Sequence, residues 1–154
     1  MITLLVIVQR LFFNLFTNFP ARKMKVENTQ SELRHRIEVS DNHKYIIIYL
    51  EGEINRNTAM PYTIEAHKLG KKTGIQKYLL DASNARNTDT VGNNYDFAYK
   101  DLKEEPMIER SAMIALLVAP DDHSHDFIET LMINSGGNVR LFRSRDEALK
   151  FLNV

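Results

Sequence analysis

The chain contains no cysteine among its 154 residues. That removes disulfide frameworks, thiolate zinc sites and cysteine nucleophiles, and the composition suits a reducing compartment, so the cytoplasm is the expected location. Net charge is also missing, because 20 Lys and Arg balance 20 Asp and Glu. No long-range field therefore draws the protein to nucleic-acid phosphates or an anionic membrane, and nucleic acid is not expected as a partner. Internal repeats and low-complexity tracts are absent. So are a Walker loop, a nucleophile elbow and an HExxH pair, and no catalytic set or cofactor site can be assembled, which places enzymes behind binding domains. The length suits one domain with a single apolar core.

What is present is unevenly spread. The opening "MITLLVIVQRLFFNLFTNFPARKMK" is far more apolar than the rest. It lacks the basic start and small-residue cleavage site of a secretory signal. As a membrane span it is short, and Arg10 near its middle would cost about 2.5 kcal/mol or more. Residues 1–27 therefore read as an N-terminal segment, either upstream of a translation start at Met24 ("MKVEN") or loosely attached. Peripheral membrane association through residues 1–23 is the alternative. Residues 28–154 read as the folded domain.

Within that domain "LRHRIEV", Leu33 to Val39, alternates apolar and charged residues as an edge strand does. "SDNHK" turns the chain into "YIIIYL", a central strand ending at Gly52. From Thr58 the period changes: Tyr62, Ala66 and Leu69 mark a first helix, with Pro61 in its first turn and Gly70 and Gly74 as stop signals. "YLLDA" is a short buried strand, followed by the loop "SNARNTD". A second helix follows, with Val91, Tyr95, Ala98, Tyr99 and Leu102 inward. "AMIALLVAP", apolar on both faces, belongs at the sheet centre. Asp121 and Asp122 can cap a third helix, with Phe127, Ile128 and Leu131 inward, ending at Gly136 and Gly137. "VRLF" is the last strand. In "SRDEALKFL", Ser144 and Glu147 are spaced as a capping box for a closing helix. The order ββαβαβαβα implies a single-domain α/β fold with a mixed, largely parallel sheet and right-handed crossovers.

The join between "YLLDA" and the second helix lies at the carboxyl end of a parallel strand, the rim where open α/β sheets carry their function. Asp89, Thr90 and Gly92 stand there. A helix amino terminus presents unpaired N–H groups and partial positive charge, so a phosphate on Thr90 would be stabilised. The plain alternative is a helix cap worth about 1 kcal/mol, with Gly92 chosen for close packing.

These motifs resemble those of the STAS domain, the fold of bacterial anti-sigma factor antagonists. There a strand ending "G-E-[LI]-D" precedes the first helix; here "EGEIN" ends at Asn55. There a strand aspartate precedes "D-S-[ST]-G", whose first serine is phosphorylated; here Asp81 is followed by Asp89, Thr90, Val91 and Gly92. The tail "NSGGNVRLFRSRDEALKFL" resembles the family's glycine turn, final strand and last helix. The resemblance covers Leu33 to Leu152. Thr90 replaces the serine, Val91 the second hydroxyl residue and Asn55 the acid. A divergent branch, similar also to lipid-binding SEC14-like domains, keeps the fold without the switch.

The resemblance implies a non-enzymatic regulatory domain. Its partner would be a protein, an anti-sigma factor or a serine/threonine kinase-like protein, with homo-oligomers left open. Thr90 is the phosphoacceptor candidate, and Glu53, Asn55, Asp81, Asp89, Gly92, Asn93 and Asn94 form the partner-binding rim. The alternative is a carrier of a small apolar ligand or lipid, suggested by the Phe- and Tyr-rich second helix. "DDHSHD" gathers metal-ligand types, but His123 and His125, two apart on a helix start, point to different faces and read as a solvated cap. "RHR" at Arg34 to Arg36 and "GKK" at Gly70 to Lys72 read as solvated faces. Tyr95, Phe97 and Tyr99 read as core and rim aromatics.

Overall fold

A computed structural model describes residues 33–154, so the readings for the segment 1–27 and for Met24 lie outside the described residues. Five strands form one sheet in the order β1-β2-β3-β4-β5: β1 (Arg34–Val39), β2 (Ile46–Ile54), β3 (Lys77–Asn87), β4 (Met113–Leu117) and β5 (Asn138–Phe142). β1 and β2 pair antiparallel as a hairpin, and every later pairing is parallel. The helices are α1 (Arg56–Thr73), α2 (Val91–Asp96), α3 (Leu102–Glu104), α4 (Asp126–Asn134) and α5 (Arg145–Leu152). A π-helical turn, Phe97–Asp101, joins α2 to α3, so that the three make one interrupted helix. The ββαβαβαβα order and the mixed, largely parallel sheet are those expected from the sequence.

Two apolar layers sandwich the sheet. Ile46, Ile48, Leu50, Tyr78 and Leu116 meet α1, the interrupted helix and α4 through Tyr62, Ala66, Phe97, Ala98 and Ile128. On the other face Tyr45, Ile47, Leu79, Ala115 and Leu117 meet α5 through Ala148 and Leu152. Burial of each large side chain here contributes roughly 1.5–3 kcal/mol.

Several local expectations are corrected. β4 is interior, yet the middle strand is β3, and β3 runs on to Asn87 through the stretch read as the loop "SNARNTD". β2 likewise passes through Gly52, which takes φ 108°, to end at Ile54. The two extensions pair with each other, which satisfies backbone groups that polar side chains disguised as loop. α1 starts at Arg56, two residues before the expected Thr58, and Pro61 sits inside it. Gly70 lies within the helix instead of stopping it, and makes room for the Tyr78 ring, while Gly74 at φ 74° is the left-handed C-cap.

In the interrupted helix Val91 and Tyr95 face outward, 69% and 47% exposed, and the buried residues are Asn94, Phe97 and Ala98. Asn94 turns inward because its side chain bonds Asn87 and the Thr90 carbonyl. α4 begins at Asp126, not at Asp121 or Asp122, because Asp122 folds back onto Ser124 and His125. Ile128 is therefore buried and Phe127 is 43% exposed. Ser144 occupies the N-cap of α5 but makes no side-chain cap bond, so the capping box does not form.

Candidate functional site

The register of β2 and β3 builds the rim. Tyr49 pairs with Asp81 and Glu51 with Asn84, so β3 carries one extra residue, a bulge just past Asp81. Both strands then run beyond the last β4 pairing, Asp81 with Leu117, and deliver the starts of α1 and α2 to the same end of the sheet. The Thr88 N–H donates to the Ile54 carbonyl at 2.9 Å, which locks the two exits together.

Around this lock the polar side chains interlace. Asn55 caps α1, accepting from the Asn57 and Thr58 N–H groups at 3.0 and 3.1 Å, and the Asn55 N–H donates to the Thr58 hydroxyl at 2.9 Å. The Asp89 carboxylate accepts the Arg56 N–H on one oxygen and the Asn93 amide, at 2.8 Å, on the other. Asn87 accepts the Asp89 N–H and donates to Asn94, both at 2.9 Å. Thr90 is the N-cap of α2, exposed, with its hydroxyl oxygen accepting the Asn93 N–H at 3.2 Å. Gly92 is also exposed, and a Cβ there would meet nothing within 4 Å, so close packing does not explain it.

Thr90, Asn55, Asp89, Gly92, Asn93 and Asn94 thus stand together. Two of the anticipated rim residues do not join them. Asp81 lies six residues upstream of the end of β3, turned toward α5, where its carboxylate meets Arg145 at 3.2 Å and the Ser83 N–H. Glu53 lies opposite Arg86 in the β2–β3 register and alternates with the buried Ile54, hence faces away from α1.

The sequence pattern gave no warning of the charge clamp beside the rim. Arg56 donates through Nε and Nη2 to both oxygens of Asp101, at 2.6 and 2.7 Å, and through Nη1 to Asp96 at 2.9 Å. Lys100 closes on the other Asp96 oxygen at 2.6 Å. Residues five apart diverge on an α-helix, whereas the wider π turn lets Asp96 and Asp101 reach one guanidinium. The hydrogen bond from Lys100 holds the Asp96 carboxyl below its ordinary range against the opposing effect of burial, and Arg56 adds to the lowering. The paired aspartates raise Arg56, with the Asp101 bond foremost.

Beneath the rim, between the sheet and α1, the interrupted helix and α4, lies a cavity of about 130 Å³ lined mainly by apolar residues such as Ile48, Leu80, Phe97, Leu116 and Ile128. His125 also lines it. That side chain is only 4% exposed, which overturns the solvated-cap reading of "DDHSHD" for this residue, while His123 is 73% exposed on another face. The buried ring anchors the start of α4 through Nδ1, 3.0 Å from the Asp122 carboxylate. Among the described residues no group of three metal-ligating side chains converges on a common point. "RHR" is paired on the surface, Arg34 with Glu51 at 2.5 Å and Arg36 with Glu38 and the face of Tyr49.

No protein-family model matches the chain, and no curated protein matches it. Solved structures do. An anti-sigma factor antagonist from Mycobacterium paratuberculosis superposes with a TM-score of 0.52 at 15% identity, over 79% of this chain and 95% of its own. A DUF3478-family protein with a SpoIIAA-like fold from Shewanella loihica gives 0.46 at 15% identity, over 78% and 93%. An antisigma-factor antagonist STAS domain from Rhodobacter sphaeroides gives 0.34 at 12%, over 73% and 88%. The first of these establishes the fold: the chain has the STAS fold of anti-sigma factor antagonists.

Proposed function

We propose that the domain is a non-enzymatic regulatory module of the bacterial cytoplasm that docks a protein partner on the rim formed by Asn55 and Asp89 to Asn94. The partner class is an anti-sigma factor or a serine/threonine kinase-like protein, and Thr90 is the residue that takes phosphate. One observation carries the reading. Four large apolar side chains are exposed among the described residues, Val91, Tyr95, Phe127 and Ile133, and all four stand on α2 and α4, two helices in mutual contact. Exposed apolar residues gathered in one place mark interaction surfaces, whereas scattered ones do not. Beside them the Thr90 hydroxyl is accessible, and Gly92 leaves the surface low enough for close approach. Among the described residues no helix is long and apolar enough to cross a membrane.

The test is a pull-down from native lysate with wild type, Thr90→Glu and Val91→Asp, alongside phosphosite mapping after incubation with serine/threonine kinases and ATP. A partner lost in both variants, and label on Thr90, are expected. The same proteins retained by all three would remove the docking surface, and label confined to other residues would remove the switch. The cavity favours a second reading, a carrier of a small apolar ligand, since it lies where that alternative requires a ligand, between the sheet and the helix from Val91 to Leu102. The same apolar rim also suits a second copy of the chain, which sedimentation of wild type against Val91→Asp distinguishes.

A further inference from the structure

The two edges of the sheet are finished differently. At β5, Phe142 bonds β4 through its carbonyl, so the neighbouring Leu141 N–H points outward, where the Glu129 carboxylate of α4 accepts it at 2.6 Å. Along β1, the other edge, nothing among the described residues plays that part. Its pairing with β2 shows which groups stay open. The Ser40 N–H donates to the Tyr45 carbonyl at 2.9 Å, one step beyond the Val39–Ile46 pair. Antiparallel ladders alternate, so Glu38, Arg36 and Arg34 turn their backbone groups to β2, while Val39, Ile37 and His35 turn theirs outward. The side chains alternate too. Arg36 and Glu38 pair with each other on the α5 face, the guanidinium 4.2 Å from the centre of the Tyr49 ring. Ile37 and Val39 join the opposite apolar layer, beside His35, which meets Glu65 of α1 at 3.1 Å.

We infer that the open edge of β1 pairs antiparallel with β1 of a second copy, in the register that sets Ile37 opposite its own counterpart. An unpaired edge is a template for another strand, and the sequence of this one is complementary to itself reversed. On a two-fold axis through the Ile37 pair, His35 faces Val39 of the second copy and Arg36 faces Glu38 of the second copy, each contact occurring twice. His35, Ile37 and Val39 are the residues with outward backbone groups, so their pairs carry the ladder bonds. Arg36 and Glu38 fall in the pairs without such bonds, where side chains approach most closely. Among the registers that keep each apolar layer on its own side, charge selects this one. An axis on Arg36 would set two guanidinium groups opposite each other, and an axis on Glu38 two carboxylates, and like charges directly across a ladder repel. In the chosen register the acids and bases of both copies form one alternating cluster beside the Tyr49 rings. The surface lies apart from the docking rim and the cavity, and depends on neither reading.

The experiment follows the full chain by sedimentation over a range of concentrations, with amide exchange measured residue by residue. A dimer is expected whose formation slows exchange at His35, Ile37 and Val39, whereas Arg36 and Glu38, bonded to β2, are slow at every concentration. Glu38→Arg turns two favourable cross-strand pairs into two unfavourable ones and weakens the dimer by roughly tenfold or more. Adding Arg36→Glu to that variant restores opposite charges across the ladder and recovers most of the affinity. His35→Pro removes an outward N–H, which an edge strand tolerates, and abolishes the dimer with the fold kept. Should the proline variant not fold, the charge exchange decides. Val91→Asp leaves the dimer in place. A chain that stays monomeric, or a dimer indifferent to Glu38→Arg and dissolved only by Val91→Asp, overturns the proposal. So does slow exchange at His35, Ile37 and Val39 in a monomer, which would mean that another segment of the same chain lies along the edge.

Discussion

Two helical glycines offer the same substitution with opposite outcomes. Gly70 lies inside α1 and Gly92 in the first turn of α2, and neither takes a positive φ. Replacing glycine by alanine in a helix stabilises by up to about 0.8–1 kcal/mol through backbone entropy. At Gly92 nothing opposes this gain, because a Cβ there has no atom within 4 Å. Gly92→Ala is therefore expected to stabilise by about 0.5–1 kcal/mol, reduced somewhat by its place near the helix end. At Gly70 the new methyl would collide with the Tyr78 hydroxyl and come within 2.7 Å of the Ile75 carbonyl oxygen. Tyr78 is 2% exposed and its hydroxyl bonds that same carbonyl, so the ring has nowhere to go. Overpacking of this kind is unfavourable by about 1–3 kcal/mol, which exceeds the helix gain. Gly70→Ala should lower stability by one to two kcal/mol, roughly, and Tyr78→Phe should restore part of the loss in the double variant, since the worst contact is the hydroxyl. Urea titration of the four proteins measures all of this. A stabilised Gly70→Ala, or a destabilised Gly92→Ala, would refute the packing argument for these two positions.

Further outcomes follow from the same geometry. Asn55→Ala removes the α1 cap and should lower stability by about 0.5–2 kcal/mol in urea, with Asn55→Asp largely preserved because the acid accepts the same N–H groups. Arg56→Met should speed amide exchange across residues 91–101 while leaving the amides of β3 and β4 unchanged, because the guanidinium holds Asp96 and Asp101; uniform exchange in both proteins would contradict this. Burial lowers the pKa of His125 and of His67, the latter despite Glu109, so the unfolded chain binds more protons than the folded one just below pH 6.5. Stability should therefore fall as pH drops from 6.5 through the folded pKa values, by at most about 1.4 kcal/mol per pH unit for each ring. A second loss follows below about pH 4, where Asp96, Asp122, Asp126 and Glu109, all held below their ordinary range, take up protons. Chemical unfolding at pH 8, 6 and 5 would expose the first phase, and a flat profile there would count against buried neutral histidines.

The element order was legible because hydrophobic period and turn chemistry agree along most of the chain. "YIIIYL" could only be a strand with both faces covered, and the glycine after "KKT" marked the end of α1 correctly. Errors clustered where polar residues do structural work. "SNARN" looks like a loop, yet it completes β3 because β2 extends beside it, a long-range pairing that no local window contains. Tyr95 looks more apolar than Asn94, yet Asn94 is the buried one, since its amide is spent on Asn87 and the Thr90 carbonyl. The π turn shows no periodic trace, and the acids five apart that feed Arg56 become meaningful only once it is known. At the rim, the meeting of Asn55 with Asp89 to Asn94 was readable from motif spacing, and Asp81 was misplaced because the bulge and overrun of β3 carry the strand end well beyond it.

The Arg56 clamp also has a mechanical meaning. It is a three-point staple between the first turn of α1 and the π turn, and both elements also line the cavity, through Ala59 on one side and Phe97 and Ala98 on the other. Whatever spreads these two walls from inside strains the same guanidinium, so filling the interior and reshaping the outer surface share a single latch.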